Sequence, residues 1–336
     1  MKALVINCPG EMEVKEAAKP TPGAGEVLIR VRASGICGTD VHILEGGFPG
    51  AYPLIPGHEF CGEVVEVGPG CSRIKVGDRV AVEPNVPCNN CPECLRGDHH
   101  YCRNMIVPGV NRPGGFGEYV VVLERGVFSV GDLDFAEGAL VEPLSCVLHA
   151  VEMLAPKMSD RALVMGAGPI GLCVASCLKY FGAQVIVIEA NPYRLGVAKK
   201  LGCTTIDAAN EAIVDKVREY TKGINADFAF DCAAHPSVQT HLMDVLKVQG
   251  TAVVIGSYKK PPEVDLLKVE FKELTLIGTR VYTRRDFETA IAILQSGRID
   301  FDKILTVAPP ADAPQQFANL LSGQTDAIKM LFQLGD

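Results

Sequence analysis

Four cysteines crowd the segment "CNNCPECLRGDHHYC" at the spacing C-x2-C-x2-C-x7-C: Cys88, Cys91, Cys94 and Cys102. Two-residue gaps let successive thiolates converge on one ion, as a tetrahedral Zn-S4 site requires. Asparagines, Glu93, Arg96 and two histidines are interleaved where a core would want apolar neighbours, so an accidental thiol cluster is the poorer reading. An iron–sulfur cluster is the other runner-up. All four corners of such a zinc site are protein, so the ion is structural and has no place for a substrate. Other residues with chemistry to offer lie apart from this lobe. "GICGTDVH" carries Cys37, Thr39, Asp40 and His42; "IPGHEFCGEV" carries His58 and Glu59; "ALVEPLSC" carries Glu142.

A third pattern is glycine-rich. In "RALVMGAGPIGLCVASCLKYFGAQVIVIEANPYR" a strand is expected over 163–165, a turn at Gly166-Ala-Gly168-Pro169-Ile170-Gly171, a helix over 172–180 and a second strand over 184–188. G-x-G-x-x-G alone is weak. Here a strand precedes it, a helix follows, and an acid, Glu189, closes the next strand. Such glycines let backbone amides and a helix N-terminus approach a pyrophosphate. Glu189 can accept hydrogen bonds from an adenosine ribose and would repel a 2′-phosphate, which favours NAD over NADP. Arg194, five residues on, is of the type that accommodates that phosphate.

Further strand–helix alternation follows: "ADFAFDCAA", an amphipathic helix around 238–248, "GTAVVIGS" and "LTLIGTR". The expectation is α/β, a doubly wound parallel sheet over 152–279. Residues 1–151 read differently, as short strands punctuated by Gly and Pro, a β-rich barrel-like domain holding the metal lobe at 85–103. Residues 280–336 are expected to be helix-rich and to return to that first domain.

The bulk numbers fit two domains. The chain has 336 residues, 48% of them hydrophobic and 21% charged, with a net charge of −8. That charge and the lack of a basic cluster argue against nucleic acid as a partner. No apolar run is long enough to cross a membrane, and the N-terminus lacks the pattern of a secretory signal, so the cytoplasm is expected. There cysteines stay reduced, and thirteen of them point to metal or chemistry before disulfides.

Taken in order, "GICGTDVH", "GHE", the four-cysteine lobe, "GGFGEY", "VEPLS" and "GAGPIG" resemble a zinc-dependent medium-chain dehydrogenase of the polyol (sorbitol) and threonine dehydrogenase branch, nearly end to end. The resemblance implies a GroES-like catalytic domain beside the Rossmann domain, with two zinc ions per chain. Cys37 and His58 match the family's catalytic zinc ligands. Glu59 matches the acid that ligates or exchanges with water, and Glu142 stands where alcohol dehydrogenases proper have a second cysteine. The sequence does not choose between the two glutamates at rest. Thr39 would take the substrate proton and His42 pass it to solvent, a task suited to a side chain whose unperturbed pKa lies near neutral. Gly166, Gly168, Pro169, Ile170, Gly171, Glu189 and Arg194 would bind the dinucleotide. Phe48, Tyr52 and Phe116 are candidate pocket walls, and Arg280 a candidate substrate-orienting group.

The implied reaction oxidises a secondary alcohol of a polyol or sugar-like substrate to the ketone, with NAD as acceptor. Alternatives are a threonine 3-dehydrogenase-like or sugar-acid (hexonate 5-) dehydrogenase, or an inactive NAD-binding structural or regulatory protein. The last should have lost a ligand or the relay, and none is missing. The family assembles as homodimers or homotetramers, and the apolar "LTLIGTRV" would suit edge-to-edge pairing. The remaining cysteines (8, 61, 71, 146, 173, 177, 203 and 232) read as core thiols. His99, His100, His149, His235 and His241 carry no role.

Overall fold

The computed structural model describes residues 1–299 and 301–335. The chain divides into two compact units, Met1–Ser145 with Tyr282–Gly297 and Leu305–Asp336, and Cys146–Val281 with Arg298–Ile304.

In the first unit a seven-stranded sheet runs in the order Leu305–Ala308, Lys329–Gln333, Glu26–Gly35, Glu59–Val67, Arg79–Val82 and Val127–Ser129, with Tyr119–Leu123 paired off the path to Glu26–Gly35. The long Glu26–Gly35 strand organises it. Its first half pairs with Tyr119–Leu123, and its last three residues pair with Leu331, Phe332 and Gln333. Its other edge carries Glu59–Val67, with Gly35 opposite Glu59. Ile29, Val31, Phe60, Val64, Val80, Val120 and Phe332 fill the core behind it. Each side chain of that size, fully buried, contributes roughly 2 kcal/mol of transfer free energy. Residues 280–336 do hold two helices, Arg284–Gln295 and Ala313–Ser322, but they also supply two strands to this sheet. The "KMLFQ" strand hides in the sequence because four successive residues are buried, which leaves no alternation to read.

In the second unit six parallel strands run in the order Thr204–Asp207, Gln184–Glu189, Arg161–Met165, Ala226–Asp231, Leu246–Val254 and Thr275–Gly278. Inner strands such as "RALVM" are almost wholly buried, as expected where helices cover both faces. The order reverses between Arg161–Met165 and Ala226–Asp231, and in doubly wound sheets a ligand lies at the carboxyl ends beside that reversal. No helix among the described residues is long and apolar enough to cross a membrane.

Candidate metal centres and dinucleotide site

Ligand atoms of Cys37, His58 and Glu59 lie within 4.8 Å of one another. Three elements bring them together. Cys37 ends the loop after Glu26–Gly35 and precedes the helix Gly38–Glu45; Glu59 opens the next strand, with His58 one residue before it. Asp40 ties these segments together. Its Oδ2 accepts from the Cys37 amide (2.8 Å), its Oδ1 accepts from the Gly57 amide (3.2 Å), and Oδ1 stands 3.6 Å from His58 Nδ1. A carboxylate behind a histidine's second nitrogen orients the ring for ligation. Burial alone would push the His58 imidazole down, but the Cys37 and Asp40 charges more than offset it and hold it well above its usual value. A thiol, an imidazole and a carboxylate converging in a buried spot are the donor set of an open zinc site, so these residues fit the ion.

Glu142 falls outside the three-residue group but acts on it. Burial raises its carboxyl to about 7, with Glu59 adding to the rise and His58 and the Tyr282 hydroxyl opposing it. Thr39 Oγ1 lies 3.7 Å from Cys37 Sγ, and His42 sits three residues further along the same helix, its Nδ1 3.1 Å from Glu45 Oε2. Lys329 is the residue that the sequence reading missed. It is 3% exposed, donates to the Ile36 carbonyl (2.9 Å), and forms a short ion pair with Glu59 Oε2. Burial would lower its ammonium pKa, but the Glu59 and Cys37 charges raise it overall. Gly35 leaves room for this pair, since a Cβ there would lie 2.5 Å from Glu59 Oε2. Asp40, named in the sequence as part of "GICGTDVH", is the third helical residue after Cys37. Lys329 had no local signal.

The Sγ atoms of Cys88, Cys91, Cys94 and Cys102 also lie within 4.8 Å of one another. Amides of Asn90 and then Cys91 bond to Cys88 and draw its thiol down to about 6, whereas burial pushes Cys94 up to about 12. The lobe's regular structure is one turn, Pro92–Leu95, and a short 3-10 piece, His99–Tyr101. Its small core is made of the cysteines themselves and Met105. Four thiols, three of them with amides aimed at them, fit a structural zinc.

In the second unit the three glycines have separate tasks. Gly166 adopts φ +102, a Cβ on Gly171 would lie 1.9 Å from the Gly166 carbonyl, and Gly168 has nothing within 4 Å of its Cβ position. The first makes the turn, the third packs helix on strand, and the second leaves open the face a pyrophosphate would approach. Pro169 and Ile170 begin the helix Pro169–Tyr180. Glu189 already lies across the turn. Its Oε2 accepts from the Ala167 amide (2.7 Å) and its Oε1 from Ala190 and Asn191 (2.8 and 2.9 Å). The Arg194 amide donates to the Asn191 cap (3.1 Å), which leaves its half-buried guanidinium on the same short helix.

The substrate candidates scatter. Phe48 is 44% exposed, and the Tyr52 hydroxyl is used on the Ile43 carbonyl (2.6 Å). Phe116 corrects the expectation: it is 2% exposed and packs edge-on against Phe317 and Phe332, so its ring belongs to the core. Arg280 is exposed just after the edge strand Thr275–Gly278.

Known proteins resemble this chain across both units. The family described as "Alcohol dehydrogenase GroES-like domain" matches residues 23–132, and "Zinc-binding dehydrogenase" matches residues 169–296. The L-galactonate-5-dehydrogenase of Escherichia coli K12 is 34% identical over 91% of both chains. A sorbitol dehydrogenase from Halalkalibacterium halodurans is 33% identical over 91% of this chain and 92% of its own. An alcohol dehydrogenase from E. coli CFT073, solved with NADH, superposes with a TM-score of 0.92 at 31% identity over 99% of each chain.

Proposed function

Because the chain belongs to the zinc-dependent medium-chain dehydrogenases, we propose that it oxidises a secondary alcohol of a polyol or sugar-like substrate to the ketone, at a zinc ion held by Cys37, His58 and Glu59. The protein is a zinc alcohol oxidoreductase that uses a nicotinamide dinucleotide. The observation that carries the site assignment is the convergence of those three ligand atoms within 4.8 Å. A second zinc ordered by Cys88, Cys91, Cys94 and Cys102 completes the set.

When bound, zinc supplies a Lewis acid that acidifies a substrate hydroxyl, and NAD supplies the hydride acceptor. This chain's residues do the rest. Asp40 holds the Cys37 and His58 segments in register, so the donors are pre-organised before the ion arrives. Lys329 neutralises Glu59, which keeps a second carboxylate tolerable beside a buried Glu142. Thr39, next to Cys37, receives the substrate proton; His42, half-exposed on the same helix, carries it to solvent. Glu189, fixed by three amides, takes the adenosine ribose hydroxyls and repels a 2′-phosphate, in favour of NAD.

The galactonate relative supports extending the substrate class to sugar acids. The reading includes the reducing cytoplasm, where the thiol lobe can hold zinc, and a homo-oligomer. For the latter, Thr275–Gly278 is an open sheet edge, flanked by Leu266, Leu267 and Phe271 at 67%, 62% and 78% exposure. Zinc-loaded protein screened for NAD reduction with polyols, inositols, sugar acids and threonine tests the proposal. Turnover with a polyol or sugar acid supports it; turnover with threonine alone would move the substrate class. No turnover with any of them, in protein shown to carry both zinc ions, would sink it.

A further inference from the structure

At the carboxyl end of the strand Ala226–Asp231 sits a buried carboxylate that neither metal centre uses. Asp231 is fully buried and accepts from two loops and from the helix Pro236–Val245. Its Oδ1 accepts from the amides of Ala233 (3.3 Å) and Ala234 (3.0 Å). Its Oδ2 accepts from Gln239 Nε2 (3.0 Å) and from the Tyr258 hydroxyl (2.5 Å), and Gln239 Nε2 also donates to Tyr258 Oη at 2.7 Å. Tyr258 lies 27 residues away, in the loop after the neighbouring strand Leu246–Val254. The main chain repeats the link, since Ile255 and Gly256 donate to the Asp231 carbonyl (3.1 and 3.0 Å).

What these bonds fix is a wedge of backbone. A Cβ on Gly166, first glycine of the pyrophosphate turn, would lie 2.9 Å from Ala233 Cβ. A Cβ on Gly256 would lie 2.8 Å from Ala234 Cβ. Residues 232–234 are therefore clamped between the glycine turn and the 256–258 loop, with Ala234 held at φ +49. A non-glycine residue keeps such a conformation only where its surroundings impose it. In a doubly wound sheet the two mononucleotides lie over the carboxyl ends on opposite sides of the reversal. Glu189 marks the adenosine side. Ala226–Asp231 and Leu246–Val254 then underlie the nicotinamide side.

We propose that Tyr258, held by Asp231 and Gln239, is a positioning residue that sets the 232–234 and 256–258 loops to receive the nicotinamide mononucleotide half of the cofactor. The inference rests on the dinucleotide-binding reading above and adds the residues that fix one half of that site. Burial and then the bond to Asp231 push the Tyr258 phenol up to about 12, so the hydroxyl keeps its proton and the latch stays closed across the working pH range. Removing the hydroxyl leaves Asp231 with one donor fewer and frees the loop, without changing any group that touches the adenosine half.

The test is direct binding, without turnover. NADH binding is followed by nicotinamide fluorescence and AMP binding by calorimetry, in wild type, Tyr258→Phe and Gln239→Leu. Tyr258→Phe should weaken NADH binding about tenfold, the scale of one hydrogen bond to a charged group. AMP affinity should stay within about twofold, since Glu189 and the glycine turn are untouched. Gln239→Leu should weaken NADH less. Equal loss for NADH and AMP would mean general unfolding of the unit and would overturn the inference, as would unchanged NADH binding. Wild-type protein that binds neither ligand would instead count against the dinucleotide reading itself.

Discussion

Lys329 and Glu59 form an ion pair with 4% and 3% side-chain exposure, a placement that only mutual neutralisation permits. Lys329→Met strands the Glu59 carboxylate. The expected loss is about 3 kcal/mol, read as a lower urea midpoint in metal-free protein. An unchanged midpoint would contradict a stabilising role for the pair. Glu83 gives a pH-dependent prediction. Burial pushes its carboxyl up to about 7, although Arg284 and Arg125 pull the other way. A carboxyl raised in the folded state contributes stability in full below its unfolded pKa and loses it as pH rises through the folded one. Glu83→Gln should therefore be more stable than wild type by roughly 2 kcal/mol at pH 8, with the gap closing towards pH 4.5. A gap that does not change with pH would contradict this. Cys37 stood out in the sequence within "GICGTDVH", and His58 and Glu59 together within "IPGHEFCGEV", because each of these motifs is short and local. Lys329 was not, because it reaches the cluster across a sequence separation of 270 residues and looks like any strand lysine.

Elements place these groups, and the glycine turn shows how narrow the tolerances are. Gly171→Ala would put a Cβ 1.9 Å from the Gly166 carbonyl, so helix and strand must separate. Gly168→Ala meets no protein atom within 4 Å. The two should part company: Gly171→Ala melts well below wild type, whereas Gly168→Ala melts like wild type but binds NADH at least tenfold more weakly, because the added methyl occupies the pyrophosphate approach. Similar melting losses in both variants would refute this division of labour. The parallel strands could be read because burial on both faces turns them into continuous apolar runs between Gly-rich turns. Phe116 was misplaced for a related reason. An aromatic within "GGFGEY" looks the same whether its ring faces a pocket or the core, and only the packed rings of Phe317 and Phe332, about 200 residues on, decide it.

At the scale of the whole molecule, the two clusters of side chains able to hold a metal belong to one unit and the glycine turn to the other. On the proposed reading, four thiolates would close one centre and three mixed donors would leave the other open for chemistry. Order of motifs along the chain was enough to read the family, because every motif is local. Substrate identity was not, because pocket walls come from separate loops with no shared pattern. The most direct test is zinc content per chain together with NAD-linked alcohol oxidation, in wild type, His58→Ala and Cys94→Ser. Wild type should hold two zinc ions. His58→Ala should keep one and lose all turnover while melting near wild type, and Cys94→Ser should keep one and melt lower. Two zinc ions retained in His58→Ala, or undiminished turnover without the second ion, would contradict the account.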